Sequence, residues 1–331
     1  MITPYTYQRE GIDQISINVN NGILRQIYQL PTGGGKTVTF SALIHRYLEK
    51  YPSKRVVILV HREELLKQAR KTLYNGFGIM SESVTAKKKT LRKADVYVGM
   101  VETAYNRLKK NKDYFGKNVG MLLIDEVHIG NFKKVYDFFE NKIIIGFSAT
   151  PISASKKDPL KNHYQEIVCG PQIQELIEFG SLTQNETFAP KGVNRQRIKV
   201  TRGEFDSREM SSQYSKTRHV KNVVKAYDRL CGDKKTLIFN CNIKHSKLVT
   251  QAFLDAGYDA RHLDGSENVY DRLATLQWFK HTPNAILNNI AVLTTGFDEP
   301  SIRNVIVNRA TKSLPLWLHP GDTPEKTSSE L

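Results

Sequence analysis

Leu30-Pro31-Thr32-Gly33-Gly34-Gly35-Lys36-Thr37 is the stretch on which the reading of this chain turns. Three glycines in succession leave the backbone bare, so its N–H groups can curl around phosphate oxygens at the start of a helix. Lys36 is then placed to reach the β- and γ-phosphates of a nucleotide, and the Thr37 hydroxyl to bind Mg²⁺. The strict P-loop pattern has a glycine where this chain has Leu30. The flanks supply what the pattern lacks. Arg25 to Leu30 reads as a strand, and Thr37 to Tyr51 carries apolar residues at helical spacing in Val38, Phe40, Ala42, Leu43 and Leu48.

A second run completes the chemistry. Met121-Leu122-Leu123-Ile124 is continuously apolar, as a strand buried on both faces requires, and Asp125-Glu126-Val127-His128 follows it. Ligands of open α/β sheets bind at the carboxyl ends of the strands, so carboxylates emerging there face a nucleotide on a neighbouring P-loop. Asp125 is expected to hold Mg²⁺ through a water and Glu126 to polarise the attacking water. ATP and Mg²⁺ are therefore the expected cofactors, with Thr37 and Asp125 at the metal.

Through these two motifs and others in order, the chain from Tyr5 to about Leu318 resembles the superfamily 2 helicases, and more closely the DExH type found in type III restriction subunits and phage-encoded helicases. The resemblance implies a role for each motif in turn. Tyr7-Gln8-Arg9-Glu10 is similar to the adenine-recognition element, with Gln8 reading the base and Gly33, Gly34, Gly35, Lys36 and Thr37 holding the phosphates. His61-Arg62, ending Val56 to Val60, and Thr103 in Val98 to Thr103 resemble turns that touch the nucleic-acid backbone. Ser148-Ala149-Thr150-Pro151 resembles the motif that couples nucleotide state to lobe movement through Ser148 and Thr150, and His128 joins Lys36, Asp125 and Glu126 in the catalytic set. Thr294-Thr295-Gly296-Phe297-Asp298 is similar to the fifth motif, which implies Thr294 near a phosphate of the strand and Gly296 and Asp298 facing the nucleotide.

The same resemblance sets the expected architecture: α/β, two RecA-like lobes with mostly parallel sheets, the second incomplete. Alternating patterns place strands at Arg25 to Leu30, Val56 to Val60, Asp95 to Gly99, Met121 to Ile124 and Ile143 to Phe147. The expected divisions are an ATP-binding lobe over 1–150, a crossing segment over 151–216, a second lobe over 217–318 and a tail of disordered composition over 319–331. Within the crossing segment the spacing predicts helices at Gln172 to Phe179 and Arg208 to Tyr214 and a strand at Val193 to Thr201. Strands at Leu237 to Asn240, Ala260 to Leu263, Ala285 to Asn288 and Asn304 to Asn308 follow. After Leu318 the family continues with a Gly-Arg-x-x-Arg helix, and this chain reads His319-Pro320-Gly321-Asp322 instead. The expectation drawn from this departure is a truncated second lobe, with a further subunit as the source of the missing elements.

Composition agrees. The chain has 331 residues, room for two cored domains, and 49 Lys plus Arg against 33 Asp plus Glu, a net charge of +16. Such a surface favours a polyanionic partner by neutralising phosphates and releasing counterions, and the expected partner is nucleic acid, DNA ahead of RNA. Cys169, Cys231 and Cys241 have no metal-ligand spacing, and their odd number argues against a disulfide framework. No apolar run reaches bilayer-spanning length and the N-terminus lacks a signal pattern, which excludes a membrane role and sets the expectation of a cytoplasmic protein of a bacterium or a phage-infected cell. The expected function is an ATP-dependent helicase or translocase. The alternative is a truncated or regulatory module that binds ATP and nucleic acid with little turnover.

Overall fold

The computed structural model describes residues 2–88, 90–129, 131–153, 157–189, 193, 194, 196, 198–201, 204–290, 299 and 301–312. It divides into two compact units, Met1–Phe179 and Gly180–Leu331.

The first unit is built on seven strands: β1 (Arg25–Gln29), β2 (Arg55–Val60), β3 (Ser81–Val84), β4 (Val96–Met100), β5 (Val119–Asp125), β6 (Ile143–Ser148) and β7 (Glu166–Cys169). They lie in the order β3-β4-β2-β5-β6-β1-β7, every pairing parallel. Parallel pairing needs crossovers, which the helices α2 (Lys36–Lys50), α3 (Glu63–Phe77) and α4 (Val101–Lys110) help to provide, while α1 (Thr6–Asn20) precedes β1. A sheet covered on both faces needs strands apolar on both sides. Val56 through Val60 are accordingly all buried, as are Met121 through Ile124. Each such side chain contributes about 1.5–3 kcal/mol relative to exposure. Phe147 anchors the layer behind the P-loop, edge-on to Tyr28 at 5.8 Å and to Phe40 at 5.7 Å.

A short helix, α5 (Ile173–Glu178), closes this unit. It matches the helix expected at Gln172 to Phe179. Residues 195 and 197 of the strand expected at Val193 to Thr201 lie outside the described residues, and its end forms β8 (Val200–Thr201), paired antiparallel with β9 (Glu204–Phe205). Both residues of β8 are exposed, and Ile198 just before it is buried in a cluster with Met210, Cys241 and Ala310.

The second unit continues with α6 (Ser207–Tyr214), α7 (Thr217–Leu230), β10 (Thr236–Asn240), α8 (Ile243–Asp255), β11 (Ala260–Leu263), α9 (Val269–His281), β12 (Ile286–Asn289) and β13 (Asn304–Asn308). Its parallel sheet runs β11-β12-β10-β13. Alternation along β10 explains why both faces are covered. Leu237 and Phe239 join one apolar cluster with Leu263, Phe279 and Leu287, while Ile238 joins another with Tyr227, Val249 and Phe253. Among the described residues, no helix is long and apolar enough to cross a membrane.

Candidate nucleotide site and nucleic-acid interface

The P-loop closes by two devices. Gly35 caps the start of α2 at φ 79°, in the left-handed region that a side chain would strain. Gly34 packs so tightly that a Cβ there would lie 2.8 Å from Leu30 Cγ. The leucine that departs from the strict pattern is thus the fully buried floor of the loop. Lys36, at the first turn of α2, extends Nζ to the Leu30 carbonyl at 3.4 Å and to Glu126 Oε1 at 3.6 Å. Thr37 follows it, half-buried on the same turn.

Gln8 is almost fully buried. Its carboxamide donates to the carbonyl of Gly34 at 3.2 Å and accepts from the Tyr5 N–H at 2.9 Å. The neighbouring Tyr7 hydroxyl donates to the same Gly34 carbonyl at 3.0 Å. The element expected to read the base therefore also grips the loop. Tyr7's part in this was not legible in the sequence, because nothing in a Tyr-Gln dipeptide indicates that the ring folds back under a loop 27 residues on.

The acidic pair leaves the central strand β5 at its carboxyl end. Asp125 is buried, and burial together with the adjacent Glu126 carboxylate raises its pKa against the opposing pull of Lys36. A carboxylate desolvated in this way is stabilised in its ionised form by a hard cation, which fits the donor chemistry of Mg²⁺. Glu126 turns the chain at φ 54°. Its two oxygens face Lys36 Nζ at 3.6 Å and His128 Nδ1 at 3.2 Å. His128 Nδ1 also lies 2.9 Å from Ser148 Oγ at the end of β6, and that oxygen accepts the Thr150 N–H at 3.1 Å. Lys36, Glu126, His128, Ser148 and Thr150 thus form one connected chain across three adjacent strand ends. Among the described residues no cluster of three or more His, Cys, Asp or Glu side chains forms a metal cage. A site made of one carboxylate, one hydroxyl and bound phosphates needs none.

The nucleic-acid candidates occupy two further edges. Arg62 precedes α3 as its N-cap residue, half-buried, with His61 before it at the end of β2. Burial, followed by the neighbouring Arg62 charge, pushes His61 down to about 4. Thr103 sits in the first turn of α4, and with Ala86, Asn106, Arg107 and Lys110 it lines an open cleft of about 270 Å³. Thr294, Gly296 and Asp298 lie outside the described residues, as does everything from 313 onward.

In the second unit the carboxyl edge carries a buried polar ladder that sequence reading missed. Asn240 donates to Asn288 at 3.0 Å and accepts from Asn308 at 2.9 Å. Beside it Ser246 Oγ lies 2.7 Å from His262 Nδ1, and His262 Nε2 lies 2.8 Å from Asp264 Oδ2. Hydrogen bonds from Ser266 and His262 hold the Asp264 carboxyl down at about 2 against its burial. Asparagines at the carboxyl ends of three strands were the available signal: Asn240 and Asn308 are register partners, and β12 ends in Asn288-Asn289.

The sequence model described as "Type III restriction enzyme, res subunit" matches residues 1–153. "Putative ATP-dependent helicase IRC3" of Saccharomyces cerevisiae is 30% identical over 94% of this chain and 48% of its own length. The "51.5 kDa protein" of a Lactococcus phage is 26% identical over 88% of this chain and 60% of its own. The chain thus spans about half to three-fifths of the length of these relatives. Among solved structures, the fold resembles "ATP-dependent Type ISP restriction-modification enzyme LlaBIII bound to DNA", with TM-score 0.70 and 17% identity over 94% of this chain and 26% of that one. It also resembles "DEAD-box helicase Mss116 bound to ssRNA and UDP-BeF", with TM-score 0.64 and 16% identity over 96% of this chain and 66% of that one. Two parallel α/β sheets, the res-subunit match over residues 1–153 and similarity to helicases along nearly the whole chain agree: the chain is similar to the superfamily 2 helicases.

Proposed function

We propose that the chain is a nucleic-acid-dependent ATPase that moves along, or separates, strands. The observation that carries this is the convergence of Lys36 and Glu126, 3.6 Å apart, at the carboxyl edge of the first sheet where the P-loop begins. Lys36 would leave its internal partner for the β- and γ-phosphates, whose charge it offsets. Mg²⁺, bound by Thr37 and through water by Asp125, would neutralise the remaining phosphate charge. Freed from the lysine, Glu126 would orient a water in line with the γ-phosphorus and take its proton as the bond to ADP breaks. His128, in contact with both Glu126 and Ser148, gives this event a route to Thr150 and the segment after β6.

Arg62 and Thr103 would meet phosphates of the strand; the roles expected of Thr294, Gly296 and Asp298 fall outside the described residues. Contacts of this kind position a strand without reading its sequence. DNA is the favoured polymer on the resemblance to restriction subunits, and a bacterial or phage-infected cytoplasm is the favoured setting on the phage relative. The test is ATP hydrolysis by the purified chain with no polymer, with single-stranded DNA and with single-stranded RNA, alongside strand displacement from a tailed duplex. Stimulation by a polymer is expected. Hydrolysis indifferent to both polymers overturns the motor reading.

A further inference from the structure

Strand register sets His61 beside Glu126. β2 and β5 are parallel neighbours with Leu59 opposite Ile124, and each chain runs two residues further, to His61 and to Glu126. Paired strands lie about 4.8 Å apart, so residues level with one another at the sheet edge are within a side chain's reach. On the other flank β6 pairs Phe147 with Asp125, which brings Ser148 level with Glu126. Glu126 is therefore bracketed by His61 on one side and by the His128–Ser148 contact on the other.

His61 is not built like a surface phosphate ligand. Its Nδ1 is buried and has no hydrogen-bond partner among the described residues. Buried polar atoms are satisfied in the great majority of cases, and an exception calls for a role. The charges the ring experiences come from Arg62 and Glu64 on its own segment and from Glu126 and His128 on the next strand. Held neutral, the imidazole offers one N–H and one lone pair, which suits it to orient a carboxylate rather than to neutralise one.

We propose that His61 is a positioning residue for Glu126, and that Arg62, the next residue in the chain, makes this positioning respond to a bound strand. The inference rests on the reading of Glu126 as the group that orients the attacking water. A strand phosphate that draws on Arg62 shifts the end of β2, and with it the ring that aligns the carboxylate. The strand need not touch the nucleotide site to change the hydrolysis rate.

The test uses the full chain with His61→Ala and with His61→Asn, which keeps a polar atom near the Nδ1 position. At saturating single-stranded DNA, His61→Ala should lower kcat about tenfold or more while KM for ATP and Kd for the strand stay within about twofold. His61→Asn should recover part of the loss. Added to Glu126→Gln, His61→Ala should cost little more, because both act on one step. A readout independent of turnover is the ring resonance of His61, whose titration midpoint should fall in Glu126→Gln once the carboxylate's charge is gone. An unchanged kcat with a strand Kd raised about tenfold makes His61 a phosphate ligand and overturns the inference, as does an unmoved midpoint. Failure of the wild-type chain to hydrolyse ATP with any polymer is the failure of the proposed function. Stimulated wild-type hydrolysis that His61→Ala leaves intact is the failure of this inference alone.

Discussion

His128 reaches from the end of one strand to Ser148 at the end of the next, Nδ1 to Oγ at 2.9 Å. The same nitrogen lies 3.2 Å from Glu126 Oε2, so the position of one proton matters to both neighbours. With the proton on Nδ1 the ring donates toward the carboxylate and the hydroxyl. With it on Nε2 the serine donates to the ring and Glu126 faces a lone pair. Ser148→Ala removes one of these states and the acceptor for the Thr150 N–H. Strand displacement should fall at least about tenfold while ATP hydrolysis stays within about threefold, a division read by running both assays on one preparation.

Lys36→Ala should abolish nucleotide binding or turnover, since its ammonium, held between the Leu30 carbonyl and Glu126, is the charge that offsets the β- and γ-phosphates. Binding of a fluorescent ATP analogue measures this. Affinity and turnover both unchanged would remove the P-loop assignment.

Glu126→Gln keeps the shape of the side chain and loses its basicity. Mg²⁺-ATP binding should persist while polymer-stimulated hydrolysis drops by about a hundredfold or more, the usual scale for a lost general base. A variant that hydrolyses at the parental rate would move the water-orienting role to another group.

Strand binding should weaken steeply with salt, because contacts through Arg62, Thr103 and the lysines around them act on phosphates. Each phosphate contact contributes about 0.7 to the slope of log affinity against log salt for a single strand. Arg62→Ala should flatten the slope by roughly that amount at every sequence tested. Anisotropy titrations between low and physiological salt would show it, and a slope equal to the parent's would exclude Arg62 from the contact set.

Acid should destabilise the second unit between about pH 6.5 and 4. His245, fully buried, accepts the Cys241 N–H at Nδ1, and burial pushes it down to about 4. A base whose folded pKa lies below its unfolded value binds more protons unfolded, so stability rises with pH across that window and is lost as pH falls through it. In the first unit His61 adds the same sign, and Asp125, raised by burial and by Glu126, opposes it. Melting temperatures from pH 4 to 7 should rise in the wild-type chain and rise less in His245→Asn. Equal slopes would show that the ring does not stay neutral on folding.

Legibility in the sequence followed chemistry and burial. β2 and β5 are runs of apolar residues that leave no second reading, and the P-loop and the acidic pair announce themselves because few other tasks need those residues in that order. β3 and β7 escaped because they are edge strands of four residues. Ser81–Val84 buries only alternate positions, and Glu166–Cys169 buries Val168 alone. A strand with one covered side looks like a loop when read without its neighbour. The pairing of His61 with Glu126 was hidden for another reason. It depends on which strands are adjacent and in what register, and neither β2 nor β5 encodes its own neighbour.

A Cβ at Gly35 would meet Gln8 Nε2 at 2.4 Å, across an interval of 27 residues. Part of the demand for glycine in the phosphate loop therefore comes from inside the protein, not from the ligand. The first helix and the loop share one packing solution: enlarging position 35 must dislodge the amide that sits on it, and the end of the site assigned to the base is disturbed along with the end assigned to phosphate. Graft the loop onto a different N-terminal helix and Gly35 keeps its left-handed φ but loses its other reason to be glycine, while Gly34 keeps its contact with Leu30.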